Sequence, residues 1–210
     1  IEKNTFPSDQ YAVDSQARFH GFDPEIAIVE VKTDINDKVV SKESLLAQIE
    51  ELGDELAMVM LGNCNYLSGQ CFDIESVTKK AHSVGAMCGF NLAHGAGNLF
   101  LELNKHQVDF AVWCSYKYLN SGPGGIAGAF VHEKHHGQKD IPRFEGWWGN
   151  NKENRFEMNR RFDPLNSVEA WQLSNPPIFQ LATLRASMNL FDKAGMKNLR
   201  SKGDKLTSYL

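Results

Sequence analysis

Asp109-Phe110-Ala111-Val112-Trp113-Cys114-Ser115-Tyr116-Lys117-Tyr118-Leu119-Asn120-Ser121-Gly122-Pro123-Gly124-Gly125 is an apolar run that breaks into a polar turn carrying one lysine, followed by a glycine and proline series. Asp109 to Trp113 predicts a short buried strand and Ile126 to Val131 the next, which leaves Lys117 in a turn between two core elements. The glycines let backbone approach a ligand closely. A lysine held in this way can form a Schiff base, provided a cationic neighbour or an apolar pocket favours the neutral amine over its ordinary pKa of about 10.4. Trp113 and Tyr116 are the expected pocket walls. On residue type alone a solvated loop lysine is the commoner outcome, so the case rests on what surrounds it.

Outward from that turn, the pattern alternates helix and strand. Ser8 is the expected cap of a helix running to about His20 and stopped by Gly21; Ser41 starts another that reaches Leu52 and ends at Gly53. Glu55 to Leu61 reads as a strand, Asp73 caps a helix over Ile74 to Val84, and Gly85 ends it before a strand from Ala86 to Phe90. A short helical crossover is expected before Asp109. This order fits an α/β domain with a mostly parallel sheet flanked by helices, in which ligands gather at the carboxyl ends of strands. Asn91, His94, Tyr116 and Lys117 all fall at or just past such ends. His132 to Glu169 weakens into loops with short pieces of structure. From Pro176 and Pro177 a helix extends to about Lys193, and another follows.

Composition narrows the function classes. At 210 residues, 42% hydrophobic and 23% charged, the chain can bury a core of its own. A net charge of −4 argues against a phosphate-backbone binder, so no nucleic-acid partner is expected. No apolar run approaches the roughly 20 residues that span a bilayer, so no membrane partner is expected either. Cys64, Cys71, Cys88 and Cys114 show no spacing that suggests a staple or a zinc knuckle, and three lie in or beside apolar strands, which favours buried free thiols in a reducing compartment.

Four segments, taken together, resemble one family. They are Phe6-Pro7-Ser8-Asp9, Gly89-Phe90-Asn91-Leu92-Ala93-His94-Gly95-Ala96-Gly97-Asn98, the Ser115 to Asn120 lysine loop, and Ser174-Asn175-Pro176-Pro177. In order and spacing they resemble the kynureninases, pyridoxal-phosphate enzymes of the aminotransferase-like superfamily. The resemblance implies pyridoxal 5'-phosphate as cofactor and L-kynurenine or 3-hydroxykynurenine as small-molecule substrate, cleaved to alanine and anthranilate or 3-hydroxyanthranilate. It implies that Lys117 bonds the cofactor and moves protons, that Tyr116 meets its phosphate and assists proton transfer, and that Phe6 stacks on its ring. His94 would lie near the ring and its phenolic oxygen, Asp9 near the pyridine side. Trp147 and Asn175 would help shape the phosphate and substrate region, in a partner subunit's site, since the family's sites lie at a homodimer interface. A cytoplasmic homodimer follows from the same resemblance. Residues 1–175 would be the central part of the cofactor-binding large domain, and 176–210 helices leading to a small C-terminal domain. With no initiator Met, and an end inside a helical pattern, the chain reads as a piece of something longer.

One position departs from the family. Where relatives have aspartate facing the pyridine nitrogen, this chain has Asn91. That carboxylate holds a proton on the ring so the cofactor can draw electrons from the substrate, and removing the charge partner of a buried cation costs about 3–5 kcal/mol. An introduced substitution, a variant that uses Asp9 instead, and a cofactor-binding relative with little turnover are the three readings. A cysteine desulfurase or another aminotransferase-like enzyme is the nearest catalytic alternative. His132-Glu133-Lys134-His135-His136 also matches the zinc-protease pattern, but it follows a strand directly, Gly137 cuts short any helix and no third ligand follows, so no metal is expected.

Overall fold

Three strands pair side by side in the order in which the chain makes them. In the computed structural model, which describes residues 1–33 and 39–210, β1 (Met58–Gly62), β2 (Met87–Asn91) and β3 (Phe110–Cys114) are parallel. β4 (Ala127–Val131) is the far strand, antiparallel to β3. Gly62 lies opposite Asn91, and Asn91 opposite Val112, so the carboxyl ends of the parallel strands line up along one edge. Cys114 faces Ala127, which brings the start of β4 to the same edge.

Among the described residues the α-helices are α1 (Pro7–Phe19), α2 (Pro24–Ala27), α3 (Lys42–Leu52), α4 (Ile74–Ser83), α5 (Ile178–Ala194) and α6 (Met196–Tyr209). α3 and α4 turn Leu45, Ile49, Val77 and Ala81 into a core shared with Val59, Leu61, Cys88, Phe90 and Ala111. Each of those two helices starts on a side-chain cap. Ser41 Oγ accepts from the Ser44 N–H at 3.2 Å, and Asp73 Oδ1 accepts from the Ser76 N–H at 3.2 Å. Two aromatic rings of β3 need glycines opposite them. A Cβ on Gly89 would sit 2.1 Å from the Phe110 ring, and one on Gly128 2.4 Å from the Trp113 indole.

Several boundaries differ from the sequence reading. Ser8 does not cap α1; Phe6 is the cap residue and Pro7 the first helical one, where a missing N–H and a preset φ cost nothing. The strand expected from Glu55 begins only at Met58, because Gly53–Glu55 forms a 3-10 turn that ends α3. The connection from β2 to β3 is a series of turns and carries no helix. The stretch from His132 to Glu169 holds short 3-10 turns, as expected from its composition.

A buried carboxylate ties the layers together. Asp109, 3% exposed at the start of β3, accepts from the Cys88 N–H at 2.7 Å on the neighbouring strand. It also meets His82 of α4 at 2.8 Å, and Lys134 and His135 beyond β4 at 2.6 and 2.8 Å. Burial alone would raise its pKa; the Lys134 ammonium, the Cys88 N–H and the two imidazoles reverse that and leave the carboxyl well below the usual range. Asp109→Asn leaves the partly buried cation without its counter-charge and is expected to cost about 3 kcal/mol, read as a lower urea midpoint at unchanged m. At α4 the Lys42 ammonium, 2.5 Å from the Asp73 carboxylate, leads in lowering that group to about 2. Since an unfolded Asp titrates near about 3.9, this stabilisation is present above that pH and lost as pH falls toward 2. Asp73→Asn should therefore be less stable than the parent near neutrality, by no more than about 1 kcal/mol for so exposed a pair, and converge with it below pH ~2 in urea melts.

Candidate active site

The edge where the strands end opens into a cleft of about 300 Å³, lined from β2 by Asn91, Ala93 and His94, from β3 by Trp113, Tyr116 and Lys117, and from the amino-terminal segment by Phe6 and Asp9. The lysine turn is closed by its own polar groups. The Ser121 N–H donates to the Ser115 carbonyl at 3.1 Å, the two hydroxyls meet at 2.6 Å, and the buried Ser115 hydroxyl donates to the Ile126 carbonyl. Gly125 is required beside them, because a Cβ there would lie 1.9 Å from Ser121 Oγ. α5 then clamps the turn from outside. Ser187 Oγ donates to the Leu119 carbonyl at 2.6 Å and Thr183 Oγ1 to that of Ser121 at 3.0 Å.

The turn after β2 comes up against this loop through Gly97, whose φ is +79° and whose position leaves room for the Tyr118 backbone 2.9 Å from where a Cβ would be. The approach brings Lys117 Nζ to 3.1 Å from His94 Nε2. Burial first, and then the lysine charge, lower the His94 pKa, which favours a neutral ring able to accept from Nζ. The lysine also lies 5.8 Å from the centre of the Phe6 ring. Its walls thus differ in part from the expected ones: Trp113 does line the cleft, but the nearest groups are His94 and Phe6. Tyr116 is 53% exposed at the rim. The Cys114 thiol beside it holds the Tyr116 phenol above its usual range, which keeps it a hydroxyl donor.

Asn91 is oriented by two bonds. Its Oδ1 accepts from the Ala93 N–H at 2.8 Å, and its Nδ2 donates to Asp9 Oδ2 at 2.5 Å. The amide oxygen is therefore spent on backbone, and the carboxylate at this end of the cleft belongs to Asp9. Six of the eight candidate residues, Phe6, Asp9, Asn91, His94, Tyr116 and Lys117, line one cleft. Trp147 and Asn175 do not. Trp147 is held edge-on against Phe156, with Arg155 6.0 Å from its ring centre, and Asn175 is exposed, accepting from its neighbour Ser174.

Tyr66 and Glu2 are among the lining residues that escaped the sequence reading. Tyr66 stands edge-to-face on Phe6 with ring centres 5.2 Å apart. Glu2, 6% exposed, accepts from Asn65 Nδ2 at 3.2 Å, and burial first of all raises its pKa. The signal for Tyr66 was present, since it follows β1 as His94 follows β2. The His132 to His136 motif is not a metal helix. Glu133–His135 is a single 3-10 turn, His132 Nε2 reaches the Asn104 carbonyl and its Nδ1 accepts from the Lys134 N–H, and His136 Nε2 reaches the Val131 carbonyl.

An amine at hydrogen-bonding distance from a neutral imidazole, an aromatic face and a carboxylate in one cleft suit an aldehyde-bearing aromatic heterocycle, and the donor set fits pyridoxal 5'-phosphate. Comparison with known proteins agrees. The aminotransferase class-V family matches residues 26–210. The chain is 58% identical over its whole length to kynureninase of Myxococcus xanthus and 48% identical to that of Nematostella vectensis, covering 49% and 45% of those proteins. It spans about half the length of the curated relatives it matches. Among solved structures, alanine–glyoxylate aminotransferase from Nostoc sp. superposes with a TM-score of 0.69 at 20% identity, covering 100% of this chain and 51% of that one. An Escherichia coli cysteine desulfurase gives 0.69 at 17%, covering 88% and 43%, a likeness of fold alone.

Asn91→Asp would bring a second carboxylate against Asp9. Two such groups in contact cannot both ionise freely, so the pair is expected to titrate with one pKa raised by a unit or more. The variant without cofactor should then be less stable than the parent at pH 7, with the gap narrowing below pH ~4, as checked by urea melts across pH.

Proposed function

The chain belongs to the aminotransferase class-V family, and from that premise we propose that it is the central part of a kynureninase, binding pyridoxal 5'-phosphate and cleaving L-kynurenine or 3-hydroxykynurenine. The products are L-alanine and anthranilate or 3-hydroxyanthranilate, and the bond broken lies between the β and γ carbons. The observation that carries this reading is Lys117 Nζ 3.1 Å from His94 Nε2, in a cleft it shares with Phe6 and Asp9. Kynureninase relatives at 48–58% identity over the full chain supply the substrate class.

When bound, the cofactor supplies an electron sink for the charge left at the substrate Cα. Lys117 would hold the cofactor through Nζ, and the same amine would move a proton at the substrate Cα. His94 holds the amine in position by accepting its hydrogen. Phe6 offers an apolar face to a planar ring without blocking the reacting edge. Tyr116, kept protonated at the rim, is a donor for phosphate and for proton delivery. Asp9 supplies the negative charge that Asn91 lacks, because the only amide atom free to face it is the donor Nδ2.

Trp147 and Asn175 serve the site of a second subunit in a homodimer. That assignment is supported by their absence from this cleft's lining and by the exposed Phe144, Phe156, Ile178 and Phe179, which are side chains of the kind a partner covers. Among the described residues no helix is long and apolar enough to cross a membrane; we assign the enzyme to the cytoplasm, with small molecules rather than nucleic acid as partners. Residues 1–175 belong to the large cofactor domain and 176–210 lead toward a small C-terminal domain.

Borohydride reduction of the cofactor-loaded full-length protein, followed by peptide mapping, is expected to label Lys117; a label on another lysine overturns the assignment. Kynurenine should yield anthranilate fluorescence, and Lys117→Ala should lower kcat by about 10²–10⁴. If Asp9 carries the missing charge, Asp9→Asn should cost at least about tenfold in kcat, the equivalent of one protein–cation interaction of about 1.4 kcal/mol.

A further inference from the structure

Beyond β1 the chain makes a tight hairpin whose two legs carry Cys64 and Cys71. The legs pair antiparallel at these two residues. The flanking hydrogen bonds run from the Asn65 N–H to the Gln70 carbonyl at 2.8 Å and from the Phe72 N–H to the Asn63 carbonyl at 3.1 Å. That pattern makes Cys64 and Cys71 a non-hydrogen-bonded pair, the close kind, with Cα atoms about 4.5 Å apart and side chains on one face. Disulfides span Cα separations of about 4.4–6.8 Å. Both thiols converge on the Gly69 carbonyl, at 3.7 and 3.8 Å, so they point the same way. Both are free, but unlike the buried thiols expected from the apolar neighbours in sequence, Cys71 is exposed and Cys64 half-buried, because they sit on a surface hairpin past β1. Sequence spacing alone suggested no staple here; a turn at Asn65 to Gln70, with Asn65 Oδ1 accepting from the Leu67 and Ser68 N–H groups at 2.9 Å, makes the pair.

The hairpin is also the cleft's rim. Cys64 lines the cleft, and Tyr66, two residues on, stands against Phe6. We propose that Cys64 and Cys71 form a reversible disulfide across this hairpin, closed by a small-molecule disulfide such as oxidised glutathione, which fixes the rim of the cleft. The Cys71 thiolate attacks one sulfur of the small disulfide and expels one thiol, leaving a mixed disulfide on the exposed leg. Cys64 loses its proton, attacks the Cys71 sulfur and expels the second thiol. Two protons and two electrons leave the protein, and the small disulfide becomes two thiols. Burial first, and then the neighbouring thiol, push Cys64 up to about 11, so Cys71 is the entry point and Cys64 the resolving group. In a reducing compartment the pair rests as thiols and closes when oxidant rises.

The test equilibrates full-length holoprotein in glutathione buffers of increasing oxidised fraction, traps free thiols by alkylation after acid quench, and maps peptides by mass. The expected result is loss of two hydrogens within the 64–71 segment, with Cys88 and Cys114 still alkylated and full reversal by dithiothreitol. Amide exchange at 65–70 should slow several-fold in the crosslinked form. Cys71→Ser should show neither the internal crosslink nor the slowed exchange under the same buffers. Alkylation of both Cys64 and Cys71 in fully oxidised buffer, stable separate glutathione adducts on each, or a bond to Cys88 or Cys114 would each overturn the proposal. A crosslink that leaves exchange at 65–70 unchanged would overturn its action on the rim. Because the readout is thiol chemistry, a negative result here is distinct from a failure to cleave kynurenine.

Discussion

Closure of the Ser115 to Ser121 turn is the constraint on which the site depends. A lysine at the end of a strand is mobile unless its backbone is spoken for, and here the polar groups of the turn bond to one another, to Ile126 just before β4 and to α5. Each bond of this kind is worth only about 0.5–1.5 kcal/mol net, but leaving a buried hydroxyl or carbonyl unpaired costs more, so the turn has one low-energy arrangement. In that arrangement Nζ of Lys117 faces His94. Gly97 and Gly125 are the spaces that permit it, since a side chain at Gly97 would push the two loops apart and one at Gly125 would open the turn at Ser115 and Ser121.

Charge is organised differently at the two ends of β2 and β3. At their amino ends Asp109 collects a lysine, two imidazoles and a backbone N–H, an arrangement that holds strands to helix and is remote from the cleft. At the carboxyl end the carboxylate bonded to Asn91 is Asp9, on α1, with the buried Glu2 also in the lining. With an amide in β2, the negative charge that position 91 meets lies on a neighbouring helix. Any chemistry that needs an anion there depends on how α1 sits, which is set by the start at Pro7 and by Phe6 against Tyr66.

Much of the layout was legible from local rules. Ser41, Asp73, Gly53 and Gly85 mark helix ends because capping and left-handed geometry act within a few residues, and the apolar runs before Asn91 and Ser115 mark strands for the same reason. Reading failed where two local signals compete. Ser8 looked like a cap, but Pro7 one residue earlier starts the helix; Glu55 to Ala57 looked like strand, but the 3-10 turn after Gly53 uses part of it. The Cys64 and Cys71 pairing could not be seen from their spacing of seven, because it depends on which hairpin register forms.

By itself the amino-acid order determined the alternation of helices and strands, the lysine turn with its glycines, and the residue types from which a cofactor site is built. These are consequences of periodicity and of backbone preference, which act over one or two turns of chain. Only the tertiary structure decided that Lys117 leans on His94, that Asn91 spends its oxygen on Ala93 and turns its nitrogen to Asp9, and that Trp147 and Asn175 lie away from the cleft lining. Those pairings join residues 23 and 82 positions apart, and such contacts form only when the sheet edge and α1 are packed, since nothing local orders them.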